Sequence, residues 1–379
     1  MPLDLSSIPI LDHHCHSLLR HGGPFSAREF QRFFTESSDD VIRAEHVPNT
    51  VFFRWAVKEL AAFFGCAPAA EAVLAARAAI SPDEVAARMF RDANIPLLLM
   101  DYGYQGGESY THDELKTRLP CRVEPVLRLE TMAQDLILRH DTFDHVVDAF
   151  VAAVEGARAA GYVALKSIIA YRTGLAIRET SPIEAAESFA PVKEQARREG
   201  KLRLATKPLN DYLALCALDV AEKQGLPVQF HTGFGDSDVD LLQANPLLMR
   251  PLFQSGKYAH VPFVILHAGY PYVRELSYLA SIYSNVFMDI SLAIPHIAAD
   301  IPAMVSQALS LAPTSKVLFA TDAYSIPEIF WIAARWGRWG LAKVLEDLMA
   351  AGALHQAEAL TAARQILGEN AARVYQVEF

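Results

Sequence analysis

Short apolar runs recur along the chain, and each stops at a polar or ionisable residue. Eight of them are placed at residues 8–11, 95–100, 123–127, 163–169, 227–230, 262–266, 286–288 and 316–320. Between them lie Ala- and Leu-rich stretches with helical spacing. The clearest are 145–160 (HVVDAFVAAVEGARAA) and 213–224 (LALCALDVAEKQ), the latter closed by Gly225 as a C-cap. Strand-type runs alternating with helices predict a parallel α/β fold. Eight of them fit a (β/α)8 TIM barrel, although an open doubly wound sheet has the same local signature.

One connection is too long for a single crossover. Residues 17–94 read as a mainly helical insertion after strand 1, with 82–90 (PDEVAARMF) as its last segment and 51–64 (VFFRWAVKELAAFF) strongly apolar and aromatic. At the first βα connection such an insertion would cover the C-terminal mouth of a barrel as a lid. A dimerisation arm is the alternative. No repeat or low-complexity tract divides the chain, so residues 1–379 are read as one domain.

Composition narrows the function classes. With 52% hydrophobic and 21% charged residues the chain is globular in type, and no charge-free stretch reaches the length a bilayer needs. A formal net charge of −10 argues against a nucleic-acid surface, which requires clustered Lys and Arg. The expected partner is a small-molecule substrate, with a homo-oligomer left open. Residues 1–10 carry Asp4 and no basic segment ahead of an apolar one, so a cytoplasmic protein is expected. Cys15, Cys66, Cys121 and Cys216 lack CxxC spacing and are expected to be reduced and buried.

The candidate chemistry begins in LDHHCHS, residues 11–17. Side chains on a strand alternate faces, which puts Asp12, His14 and His16 on one side and His13 and Cys15 on the other. A His-x-His pair can reach one ion, although alone it is more often a polar strand end with its histidines bonded to backbone or water. Other strands end in ligand-type residues too: His231 in PVQFHTG, His267 in PFVILHAGYP and Asp322 in KVLFATDAYS. On a barrel those ends share one rim, so four histidines and an aspartate would converge on a divalent metal. Lys166, in GYVALKSIIAYRTG, lies within a strand, where a lysine is costly unless paired or neutralised. It is either salt-bridged, or its amine has taken up carbon dioxide to become a carbamate that bridges two cations.

These positions resemble the amidohydrolase superfamily of metal-dependent hydrolases. That family's pattern is HxH after strand one, a lysine on strand four, histidines after strands five and six and an aspartate after strand eight. Here it reads His14 and His16, Lys166, His231, His267 and Asp322, spread over residues 8–322. HAGYP and FATDAYSIPE are most similar to the amidohydrolase-2 branch, notably the domains fused in some proteins to a glutamine-synthetase-like domain. After Asp322 the chain is expected to hold closing helices only.

The resemblance implies Zn2+ as the metal, as one or two ions. Two are favoured, with His14 and His16 on the first, His231 and His267 on the second, carboxylated Lys166 between them, and Asp322 closing the first shell. The decarboxylase members of the branch are similar but mononuclear and lack the bridging lysine. Asp322 would act as general base and then acid on an attacking water. Hydrolysis of C–N (amide-type) bonds is the leading expectation. A mononuclear decarboxylase of a small carboxylic acid is the alternative, and a silent scaffold with a structural metal a third.

Candidate substrate-binding residues are Arg172 just past strand four, Asp101 and Tyr104 after strand two, and Arg128 after strand three, with Glu130 beside it. Tyr324 and Arg54 are weaker candidates. Asp289 could support a ligating imidazole. Gly233, Gly235 and Gly269 fit tight turns, and Trp331, Trp336 and Trp339 fit packing of the helix after strand eight.

Overall fold

Each apolar run becomes a strand because both its faces are buried, one in the barrel lumen and the other against helices. In the computed structural model, which describes residues 3–104 and 107–379, eight strands pair in sequence order, each parallel to the next. They are β1 (Leu11–Cys15), β2 (Leu97–Asp101), β3 (Arg122–Arg128), β4 (Ala164–Ser167), β5 (Val228–Phe230), β6 (Phe263–Ile265), β7 (Val286–Ile290) and β8 (Val317–Phe319). The sheet closes at its rim, where Asp322 N–H donates to the His14 carbonyl (2.9 Å) and His16 N–H to the Ala323 carbonyl (2.8 Å). The fold is therefore a TIM barrel and not an open sheet.

Seven strands fall on or within about a residue or two of the expected runs, while β1 is displaced forward. Residues 8–10 precede it, and the polar LDHHC segment is itself the strand. Below the histidines the lumen is filled by Leu11, Leu97, Leu99, Val126, Val264 and Leu318, and closed by Val374 and Tyr375. The last two belong to the helix Asn370–Tyr375. The helix Lys207–Gln224 ends at Gly225, whose φ of 60° is the left-handed C-cap that glycine permits.

Residues 17–94 are mainly helical, with helices at Val51–Phe64, Ala70–Ala78 and Pro82–Asp92. The aromatic helix does not roof the barrel. It packs sideways on the helix Pro327–Ala350, Trp55 stacking on Trp336 at 4.2 Å between ring centroids and Phe63 meeting Trp331 at 5.0 Å. The buried ion pair between Arg77 and Glu328 fastens the same two regions. Among the described residues no helix is long and apolar enough to cross a membrane.

Candidate metal centre and active site

At the C-terminal rim, His14, His16 and Asp322 bring one ligand atom each within 4.8 Å of one another, all three residues being buried. Asp322 Oδ1 lies 3.1 Å from His14 Nε2 and 3.3 Å from His16 Nε2, and its Oδ2 lies 3.6 Å from His267 Nδ1. The His267 ring is 5.8 Å from that of His14 and 4.4 Å from that of His231. Five of the six candidate ligands thus form one contiguous set. Lys166, the sixth, joins it from β4, with Nζ 3.1 Å from His14 Nε2.

Several ligand atoms are left over by the protein's own hydrogen bonds. His231 Nε2, His267 Nε2 and Asp322 Oδ1 are buried with no hydrogen-bond partner. Buried polar atoms are rarely left so, and imidazole nitrogens with a carboxylate oxygen suit zinc or a related divalent ion. The other ring nitrogen is held in two cases: His16 Nδ1 is 3.0 Å from the Asp101 carbonyl and His267 Nδ1 is 2.9 Å from Ser291 Oγ. Such bonds fix ring orientation and leave Nε2 for an ion. The residues present therefore fit a metal.

Electrostatics agree with neutral imidazoles. Burial holds His14 down to about 4 and pushes His231 and His267 well below the usual range. Burial also brings the Lys166 amine down to about 8. For Asp322 burial acts upward, but the surrounding imidazoles outweigh it and keep the carboxylate ionised. The backbone is strained where the set is built, with φ of 68° at His267 and 51° at Asp322. Such conformations cost about 1–3 kcal/mol each and persist where neighbours enforce them. At His267 the enforcing group is Asp289, whose Oδ1 accepts its N–H at 2.5 Å.

Strict alternation along β1 fails. Asp12 pairs with Leu98 and Cys15 with Met100, so β1 carries an extra residue between them. This bulge re-aims the side chains that follow it. His13, expected to face the helices, instead meets Asp289 and Tyr375, with Nε2 3.3 Å from Asp289 Oδ2 and Nδ1 3.0 Å from the Tyr375 hydroxyl. Asp12, expected beside His14 and His16, accepts from Thr321 N–H (2.9 Å) and Oγ (2.5 Å) and braces the end of β8. Cys15 packs in the outer core as expected.

Above the metal set lies a cavity of about 220 Å³, lined by candidate ligands and by Tyr104, Arg128, Arg172 and Tyr324. Asp101 is not among the lining residues. It is fully buried and clamps Arg128, 2.6 Å away, while Gly103 N–H occupies its other oxygen. Glu130 turns inward to Ser167 Oγ (2.6 Å) and Ile168 N–H (2.9 Å), bracing the end of β4. Arg54 is exposed and bonded to Asn49. The turn glycines do serve close approaches. A side chain at Gly235 would collide with the Tyr171 hydroxyl and His231, and one at Gly233 with the Gly269–Tyr270 backbone. Trp331 and Trp336 are buried and Trp339 is partly so.

Sequence reasoning missed Glu36, Tyr171, Arg203, Asp236 and Asp238, which complete the cavity wall. For Asp236 and Asp238 a signal existed, since HTGFGDSD runs on from His231 along the same rim. Glu36 had none. It is the one residue of the insertion to line the cavity, among the described residues. Burial, then the neighbouring charge of Glu36, pushes the Asp236 carboxyl up to about 7.

Residues 123–377 match the amidohydrolase family. Protein FluG of Emericella nidulans is 30% identical over 97% of this chain, which spans 46% of FluG's own length. A structure of a candidate metal-dependent hydrolase from Lactobacillus casei ATCC 334 superposes with a TM-score of 0.89 and 32% identity, covering 99% of this chain and 98% of that one. A uronate isomerase from Bacillus halodurans shares the fold at a TM-score of 0.64 and 15% identity, over 98% of this chain and 94% of its own. The chain belongs to the amidohydrolase family of metal-dependent enzymes.

Proposed function

We propose that this protein hydrolyses C–N bonds of small amide-type substrates. The observation that carries the reading is the set of His14, His16 and Asp322, with the unpartnered Nε2 atoms of His231 and His267 beside it, at the floor of one small cavity. A divalent cation held there, Zn2+ on the chemistry of the donors, supplies Lewis acidity toward a water and toward the substrate carbonyl. Asp322, ionised and in contact with three imidazoles, accepts the proton of the attacking water and delivers it to the leaving nitrogen. Arg172 binds a substrate carboxylate. Arg128, Tyr104 and Tyr324 shape the wall that excludes bulk water, with Glu36 bringing the insertion to the mouth as part of a lid.

In this reading His14, His16, His231, His267, Asp322 and a carboxylated Lys166 would together hold two such ions. The buried amine, brought down to about 8, is neutral in a useful fraction near neutral pH, which is the form that adds carbon dioxide with loss of a proton. A mononuclear decarboxylase is the second reading. It is favoured by the single compact ligand triplet among the described residues and by the contact of the Lys166 amine with His14.

Metal analysis, intact mass and a panel of amides, esters and carboxylic acids assayed with zinc- and manganese-loaded protein test the choice. Two ions per chain, a mass increment of one carbon dioxide lost in Lys166→Met, and amide turnover are expected. One ion with an unmodified lysine and release of carbon dioxide from an acid would replace the hydrolase by the decarboxylase.

A further inference from the structure

Six charged side chains line the cavity besides Lys166 and Asp322: Glu36, Arg128, Arg172, Arg203, Asp236 and Asp238. Three are already matched. Arg128 is paired with Asp101 at 2.6 Å, and Arg203 with Asp238 at 2.6 Å and with the Tyr171 carbonyl at 3.0 Å. Removing these pairs leaves one cation, Arg172, and two carboxyl groups, Asp236 and Glu36, the latter with only the His296 imidazole beside it at 3.3 Å.

The three left over are poorly satisfied where they stand. Arg172 Nε is buried without an acceptor, and Glu36 Oε1 is buried without a hydrogen-bond donor although the Glu36 side chain is only 11% exposed. That same oxygen lies 3.3 Å from His296 Nε2, an imidazole outside the cavity lining, without the geometry of a hydrogen bond. Glu36 and Asp236 line the same cavity, an arrangement of two acids that a shared proton or a bound cation makes tolerable. The same cavity receives the unpartnered Nε2 of His231, a side chain 4% exposed, so it is built to take a ligand and not merely lined by stray charge. A ligand with only a carboxylate would leave the acids unmatched. One with only an ammonium would leave Arg172 unmatched, and buried unmatched charge is costly.

We propose that the cavity selects a dipolar substrate of amino-acid type, an amide carrying one free carboxylate held by Arg172 and one free ammonium held between Glu36 and Asp236. A small end group that carries both charges fits a cavity of about 220 Å³. The assignment of an amide rests on the hydrolase reading, whereas the two charges rest on the wall alone.

Calorimetric titration of the metal-loaded protein with four matched probes tests it: glutamine, 4-carbamoylbutanoate lacking the ammonium, 4-aminobutanamide lacking the carboxylate, and butanamide lacking both. Glutamine is expected to bind at least about tenfold more tightly than either singly charged probe, the scale of one satisfied polar contact. Glu36→Gln should abolish the advantage over 4-carbamoylbutanoate, and metal content equal to that of the wild type shows the variant to be folded. Arg172→Gln should abolish the advantage over 4-aminobutanamide. Equal binding of glutamine and 4-carbamoylbutanoate, an unchanged ratio in Glu36→Gln, or no binding by any probe would overturn the inference. Charge-dependent binding without amide turnover would sink the hydrolase reading and keep this one; turnover of amides regardless of charge would do the reverse.

Discussion

His13 Nε2 lies 3.3 Å from Asp289 Oδ2 inside the barrel, and the other oxygen of Asp289 accepts the backbone N–H of His267 at 2.5 Å. Through Tyr375, which contacts His13 Nδ1 at 3.0 Å, the C-terminal helix is joined to the floor of the candidate metal centre. Asp289 thus holds His267 in the left-handed backbone that aims its ring at Asp322. Asp289→Ala is expected to lower metal affinity about 10- to 100-fold, the usual cost of losing a group that orients a ligand. Asp289→Asn can still offer a carbonyl oxygen to His267 N–H and should lose less. Competition with a chelator reads both, and equal affinities in wild type and the alanine variant would remove the role.

Asp322 is proposed as both ligand and proton carrier, and these roles separate in Asp322→Asn. The amide keeps an oxygen for the ion, so metal content is expected to stay near that of the wild type. It cannot accept the proton, so kcat should fall by about 10²- to 10⁴-fold, the range for removing a general base. Metal analysis beside steady-state kinetics checks this, and near-normal kcat would reassign the base.

How much of this could be read from the chain follows from how local each signal is. Strand ends were legible because an apolar run stopping at His231, His267 or Asp322 carries its own boundary. The rim of a barrel then brings those ends together without any further contact being known. What escaped was non-local. Alternation along β1 predicts His13 outside and Asp12 inside, but the bulge between Asp12 and Cys15 is defined by pairing with β2 and leaves no mark in LDHHCHS. Asp101 ends its strand at the rim, yet Arg128 from the neighbouring strand takes its carboxylate. Glu36 reaches the cavity from the insertion by a tertiary contact that no local pattern marks.

The ion pair of Arg77 with Glu328 ties the insertion to the helix Pro327–Ala350, at 4% and 0% side-chain exposure. Arg77 also donates to the Gly22 carbonyl at 2.6 Å. Arg77→Met leaves Glu328 charged and buried with its partner gone, which costs about 3–5 kcal/mol. The double variant Arg77→Met with Glu328→Gln removes the stranded charge and should recover a substantial part. Urea unfolding of the wild type and the two variants measures this. A single-variant loss below about 1 kcal/mol, the scale of an exposed pair, would mean that water reaches Glu328.

The Glu36 and Asp236 pair sets a pH dependence whose two consequences have opposite sign. Asp236 is raised from 3.8 to about 7 by burial and then by the charge of Glu36, with Asp238 and Asp322 adding to it. Tyr171, whose hydroxyl accepts Asp236 N–H at 3.2 Å, is itself pushed well above its usual range and stays neutral. The folded protein therefore prefers Asp236 protonated. The stability contributed by that preference is complete below the ordinary value of 3.8 and is lost as pH rises through about 7, so in the absence of ligand Tm should decline over that interval. Binding of an ammonium needs the ionised form. Between pH 6 and 8 the ionised fraction of a group titrating near 7 rises about tenfold, and the affinity for glutamine relative to 4-carbamoylbutanoate should rise with it. In Asp236→Asn both trends should flatten. If that variant keeps the wild-type slope of relative affinity against pH, Asp236 is not the titrating group.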